Sequence, residues 1–375
     1  MTSQTDFNLH DIVRIRLQGA SPTDAAAVAR QLGPLPANFS GEPDIVLRFV
    51  DRLQVTSPLR YLGLEEAGFT DDAFLILQGK HKSRVKVQIP FDQIGNPITM
   101  TCEHGLSAVP LLIAIINLTA LAKGVLPLHA SAFYYQGVGV LATGWSKGGK
   151  TETLLSFATH GASYIGDEWV YLTTDGDMYG IAEPIRLWDW HLAQLPEYAA
   201  RVGRKDRLRL QTIQMANATD RRTPQAVKKH FFLSKGLNRL TPLLKKQLHV
   251  DIRPLTLFGQ QQVATAGTLQ KVFLVVSSEA QDTTVQRIEP EEVMNRMVHS
   301  LEYERQPLMA YYHAYRFAFP DRRNSLIDDA PARQHALLTQ ILSGKETYVV
   351  DHPYPVSLNS LYEAICPYIV DGVTD

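Results

Sequence analysis

The spacing of apolar and polar positions changes repeatedly along this chain, and each change marks an element. Residues 21–35 open Ser-Pro-Thr-Asp, run on through alanines and close at Gly33-Pro34, which predicts a capped helix. Residues 45–50 and 73–77 read as strands. The second predicts a hairpin with Val85, Val87 and Ile89 across a turn at Gly79-Lys80, because Arg84, Lys86 and Gln88 alternate with those apolar positions. Residues 108–122 are almost wholly apolar, yet shorter than the roughly 20 residues of a bilayer span. They contain Pro110, Asn117 and Thr119, so a buried core helix is expected. Residues 126–135 and 138–142 predict a hairpin turned at Gln136-Gly137. A helix over 151–159, strands over 163–166 and 169–173 and a turn at Asp175-Gly176 follow. Later, 271–277 reads as a buried strand and 291–303 as an amphipathic helix begun by Pro290. Residues 348–350 and 357–365 read as a closing strand and helix.

These elements describe an α/β protein with a small N-terminal α+β subdomain over 1–105 and a main domain over 106–375. A basic, mainly helical insertion sits at about 190–250. From Arg201 to residue 250 the many Lys and Arg are opposed only by Asp206 and Asp220. Leu237, Leu240, Leu243, Leu244 and Leu248 recur there at helical spacing. Such a segment contacts phosphates, an acidic partner or a membrane surface, or is a solvated insertion; both readings stand. Aromatics within it reduce to Phe231 and Phe232, so no nucleic-acid partner is expected. With 375 residues and a net charge of −1 the chain can bury a large core. The first residues lack a basic start and long apolar centre, and Cys102 and Cys366 form no CxxC or Cys/His cluster. A soluble, cytoplasmic protein without transmembrane segment, disulfide framework or structural zinc is expected.

Residues 144–151 read GWSKGGKT, between an apolar strand and a helix, which is the order a phosphate cradle requires. Glycines let backbone N–H groups turn inward on a phosphate, and the helix start adds its positive dipole end. A nucleoside triphosphate is therefore expected against Gly144, Trp145, Ser146, Lys147, Gly148, Gly149, Lys150, Thr151 and Glu152. Lys150 would reach the β and γ phosphates, and Thr151 would offer its hydroxyl to Mg2+.

Around this loop stand His129 before it and Asp167-Glu168 after it. The run GVGVLATGWSKGGKTET over 137–153 and IGDE over 165–168 resemble the HPr kinase/phosphorylase family. The resemblance is specific over 129–187, looser over 251–276, and absent from the first hundred residues. It implies an ATP-dependent phosphotransferase with a P-loop core related to phosphoenolpyruvate carboxykinase. By the same resemblance Asp167 is the base for the acceptor hydroxyl, Glu168 a metal-side carboxylate, His129 the histidine near the transferred phosphate and Arg253 a transition-state arginine. Thr151, Asp167 and Glu168 would lie on the magnesium side, with Glu183 or Asp189 as a third carboxylate by position. A homo-oligomer is compatible with the resemblance. Here Glu168 stands where the family has a second aspartate, Thr151 where serine is usual, and Trp145 and Lys147 where loop residues are smaller or acidic.

Adjacent strand residues point to opposite faces, so Asp167 and Glu168 both face the phosphate only if the strand ends between them. The alternatives are a plain turn pair for Asp167-Glu168, a hydrogen-bonded core or strand-start histidine for His129, and a structural salt-bridge partner for Arg253. The leading expectation is a kinase acting on a hydroxyl of a protein, peptide or metabolite. Its alternative is a nucleotide-binding switch that phosphorylates no acceptor. A carboxykinase-like enzyme ranks below both, because no His/Asp/Lys metal cluster is readable from spacing.

Overall fold

A computed structural model describes residues 5–63, 66–80, 83–210 and 249–370. Most of the basic segment, including its leucine stripe, Phe231 and Phe232, lies outside the described residues.

Two large mixed sheets carry the fold. The first has eight strands, in the order Thr5–Leu9, Val13–Gln18, Ile45–Val50, Ile98–Glu103, Ser83–Gln88, Phe74–Lys80, Ala67–Phe69 and Arg60–Leu62. Strict alternation sets its faces: Val13, Ile15 and Leu17 are buried, as are Ile45, Leu47 and Phe49, while the residues between them are not fully enclosed. Between the first two parallel strands the chain crosses through the helix Pro22–Leu32. Ser21 and Asp24 form its capping box, and Gly33 leaves it at φ 67°. The expected turn residues Gly79 and Lys80 belong instead to the strand ladder. Gly79 pairs with Arg84 and Lys80 with Ser83, so the ladder continues past the glycine.

The second sheet has nine strands and is built around Leu126–Tyr135. On one side this strand pairs antiparallel with Val138–Thr143 through a two-residue turn, where Gln136 and Gly137 both have positive φ. Val138–Thr143 then lies parallel to Lys271–Ser278, which lies parallel to Glu346–Pro353. On the other side two short strands lie end to end along Leu126–Tyr135: Ser163–Gly166 beside Tyr134 to Ala132, and Trp169–Leu172 beside His129 to Leu126. The break between them falls at Asp167 and Glu168.

Two helices join the sheets. Leu112–Ala122 starts later than the apolar run suggests, after Pro110 and a left-handed Leu111 (φ 59°). It is apolar on nearly all sides, as an enclosed helix must be. Pro290–Ala318 runs well beyond the expected end at Tyr303 and passes through Pro307. A proline inside a helix costs about 3 kcal/mol, and here burial on both sides of it compensates. Val293, Met294, Met297 and Leu301 pack under the second sheet, whereas Leu308, Tyr312 and Tyr315 enter the core of the first. Among the described residues no helix is long and apolar enough to cross a membrane.

Candidate active site

The glycine loop leaves the sheet at the carboxyl end of Val138–Thr143, the edge where parallel α/β sheets bind ligands. Its glycines are sterically required. A Cβ on Gly144 would lie 2.4 Å from the Val275 carbonyl, and one on Gly149 2.3 Å from His352 Nε2. The helix Lys150–Ala158 begins directly on the loop, and Gly149 provides no side-chain cap, so its first N–H groups lack partners within the helix. Neighbouring elements fix the loop backbone: Ser300 Oγ donates to Gly144 O (3.3 Å) and His352 Nε2 to Gly148 O (2.9 Å). Trp145 is half exposed and its ring packs against Tyr303, 4.8 Å between centroids.

Lys150 is buried, and its ammonium donates to Gly144 O (3.3 Å) and Trp145 O (2.8 Å). Burial lowers its pKa, against the pull of nearby Glu168, Asp167, Glu304 and Glu152. Among the described residues no carboxylate reaches it as an ion pair. A buried cation held by neutral carbonyls in a glycine cradle suits a polyphosphate.

The break in the sheet edge resolves the geometric difficulty of Asp167 and Glu168. Glu168 adopts φ 70°, and the Trp169 N–H donates to Asp167 O at 3.0 Å across a tight turn. Both side chains therefore turn toward Leu126–Tyr135. This corner packs close on the next strand, Asp177–Gly180: a Cβ on Gly180 would meet Ile165 O at 1.9 Å and Gly166 Cα at 2.6 Å.

Asp167 accepts from Ser131 Oγ at 2.5 Å and from Thr151 Oγ1 at 3.1 Å. Burial, and then the charge of Glu168, push its carboxyl up to about 6 in spite of those bonds. Glu168 accepts from His129 Nε2 at 3.0 Å, and this bond holds its pKa below the ordinary range. The opposite ring nitrogen, Nδ1, donates to Glu304 at 2.8 Å, and the ring stacks on Trp169. Burial opposes the charge on His129, but the two carboxylate bonds outweigh it and the pKa rises. With a proton on each nitrogen, His129 serves both glutamates as a cation.

Lys150, Thr151, Asp167, Glu168 and His129 thus share one site. Glu152 turns away to His191 Nε2 (3.0 Å), whose Nδ1 accepts from the Trp188 N–H; this ties the helix Asp189–Gln194 to the loop. Arg253 caps the short helix Pro254–Phe258, and among the described residues no side-chain bond links it to the cluster. Asp189 opens the Asp189–Gln194 helix. Glu183 is nearer the chemistry. Burial and the charges of Glu168 and Asp167 push its carboxyl up to about 8, and its Oε1 is buried without a hydrogen-bond partner.

Because folding raises the Glu183 pKa, its protonated form stabilises the fold below pH 4.5, and that stability is lost as pH rises through about 8. Glu183→Gln should therefore unfold at a higher temperature than wild type at pH 8.5 but not at pH 5. The expected gain is on the order of 1–3 kcal/mol in thermal melts without nucleotide. Equal melting curves at both pH values would remove Glu183 from the electrostatics of the site.

Glu304, Ser131, Ser300 and His352 carry no motif and escape sequence reasoning. One sign was available. Met297, Ser300 and Glu304 occupy one helix face at i, i+3 and i+7, and the last two interrupt an otherwise apolar stripe. They meet Thr143, Gly144 and His129 in turn.

Thr151 and Asp167 bring oxygen donors suited to magnesium within 3.1 Å of each other, with Glu168 the next residue in the chain. Among the described residues no three His, Cys, Asp or Glu side chains are grouped to hold a metal by themselves. Magnesium at phosphate sites needs only one or two protein oxygens besides substrate and water, so this donor set fits.

No family model matches the sequence, and no curated protein matches it. Among solved structures the chain is similar to the Hpr(Ser) kinase/phosphatase from Coxiella burnetii, over 51% of this chain and 97% of that one, with 12% identity and a TM-score of 0.22. A likeness of that degree marks at most a distant relationship of fold and assigns no activity.

Proposed function

We propose that the protein is an ATP- and magnesium-dependent kinase that transfers the γ-phosphate to a hydroxyl. The observation that carries this reading is Asp167, a buried carboxylate of raised pKa held 3.1 Å from the loop hydroxyl of Thr151. Phosphoryl transfer asks for charge neutralisation and an aligned hydroxyl beside a base, and little else. Lys150 and the loop N–H groups bind the triphosphate. A cavity of about 430 Å³ on the outer side of the loop, walled by Trp145, Lys147, Val276 and His299, leaves room for the nucleoside. Magnesium, when bound by Thr151, Asp167 and Glu168, shields phosphate charge.

In the reaction the acceptor oxygen bonds to the γ-phosphorus as the bond to the β,γ-bridging oxygen breaks. Asp167 takes the hydroxyl proton, and nucleoside diphosphate leaves. His129, kept cationic by Glu168 and Glu304, adds positive charge beside the transferred group. Arg253 stays a candidate by motif position.

The test is transfer of label from γ-labelled ATP, with magnesium and a fractionated cell extract, beside a Lys150→Ala control. Label reaching a discrete protein, peptide or small molecule only with the intact loop supports the kinase. A second reading, a nucleotide-binding switch, draws on the fact that both hydroxyls bonded to Asp167 belong to the protein itself. Tight binding or slow hydrolysis with no labelled acceptor would favour that reading.

A further inference from the structure

The helix Leu112–Ala122 is apolar all round, yet protein does not cover all of it. Ile115 and Ile116 are buried in the core of the first sheet, whereas Leu111, Ile113, Ala114 and Leu118 wall a cavity of about 290 Å³. The helix Pro290–Ala318 lines it through Leu301, Arg305 and Leu308, and Trp169 lines it as well.

Most polar groups on this cavity are already engaged. Asn117 accepts from the Tyr171 hydroxyl (2.8 Å), and Gln31 exchanges two bonds with the Val109 backbone. Glu304 turns to His129. Arg305 is the exception. It is 8% exposed, and among the described residues its hydrogen bond is to the neutral side chain of Gln334, at 2.6 Å, with no carboxylate in ion-pair range. Burial lowers its pKa, against a weaker pull from the charge of Glu302, which makes no ion pair with it. A guanidinium offers five N–H donors in a planar fork suited to a carboxylate, so most of its donor capacity is unspent. Buried charges are normally paired, and the cavity is where the missing anion fits.

We infer that this cavity binds a small amphipathic acid, with its carboxylate on Arg305 and its apolar body along the Leu112–Ala122 helix. A cavity of roughly 150 Å³ accommodates benzene, so this one takes about ten to twelve heavy atoms, the size of a medium-chain or aryl-alkyl carboxylate. The inference does not depend on the kinase reading. It has a consequence for that site, however: Trp169 and Glu304, which wall the cavity, are also the residues that stack on and hydrogen-bond to His129. An occupant therefore touches two of the groups that hold the histidine.

The test is calorimetric titration of the full chain with sodium octanoate, beside 1-octanol as a probe of the same body without charge. Octanoate is expected to saturate at one per chain, with 1-octanol at least about tenfold weaker, a difference of one desolvated ion pair. Arg305→Gln should weaken octanoate by about the same factor and leave 1-octanol unchanged. Ala114→Phe, which fills the cavity and leaves Arg305 in the chain, should abolish both while cooperative unfolding persists. If Arg305→Gln fails to fold, the comparison of the two probes and the Ala114→Phe variant decide. No octanoate binding at millimolar concentration overturns the inference, as does 1-octanol binding as tightly as octanoate, or unchanged octanoate binding to Ala114→Phe.

Discussion

Replacing Asp167 by asparagine should reduce acceptor phosphorylation by about 10²–10⁴-fold, the usual contribution of a positioned general base, while nucleotide affinity measured without magnesium changes by less than about threefold. The amide still accepts from Ser131 and Thr151, so the corner keeps its shape, but it cannot take the hydroxyl proton. The wild-type pH profile supports the same assignment. Because burial and Glu168 push the Asp167 carboxyl up to about 6, kcat/KM should rise with pH through that value and the rise should vanish in the variant. The raised pKa also means that ionised Asp167 weakens the fold: stability present below pH 3.8 declines as pH rises through about 6. The limb of increasing activity thus coincides with decreasing stability, and thermal melts beside rate measurements separate the two. Full transfer by Asp167→Asn would remove the base from Asp167.

Lys150→Ala should cost about 10²–10³-fold in transfer, the scale of losing one preorganised donor at a phosphate, and should weaken nucleotide binding as well. Stability should behave differently. The ammonium is buried at a cost that lowers its pKa, so its removal relieves desolvation while depriving Gly144 O and Trp145 O of a donor. Gly144 O keeps its bond from Ser300. These effects oppose one another, and the melting free energy should stay within about 1 kcal/mol of wild type. A variant that binds nucleotide as tightly as wild type would detach the loop from the triphosphate, whereas one that unfolds would assign Lys150 a structural role instead.

The two variants differ in what they report. Asp167→Asn tests the chemical step and separates a kinase from a switch, because a switch loses nothing measurable in nucleotide binding. Lys150→Ala tests the binding step common to both readings.

Much of the local structure was legible in the residues. The strand Ile45–Val50, the Ser21 cap and the Gln136-Gly137 turn are short-range effects, decided by neighbours a few positions apart. So was the strand, glycine loop and helix over 138–158, where glycines, lysine and threonine occur at a fixed spacing. Where the reading erred, tertiary contacts had outweighed local preference. The helix expected over 291–303 runs on through Pro307, because Leu308, Tyr312 and Tyr315 gain more by burial in the first sheet's core than the proline costs. The Gly79-Lys80 turn moved because the cross-strand ladder continued through the glycine.

By itself, then, the sequence determined an α/β chain with a glycine loop between a strand and a helix and with titratable groups on either side of it, because those properties depend on composition and short spacing. The tertiary structure alone decided that Asp167 and Glu168 both turn inward, since this requires two short strands to lie end to end along Leu126–Tyr135 with a left-handed residue between them. It alone brought Glu304 to His129 across 175 positions, and it alone left Arg305 beside a cavity without an anion. Contacts between residues so far apart are set by how helices pack on sheets, and no pattern of adjacent residues encodes them.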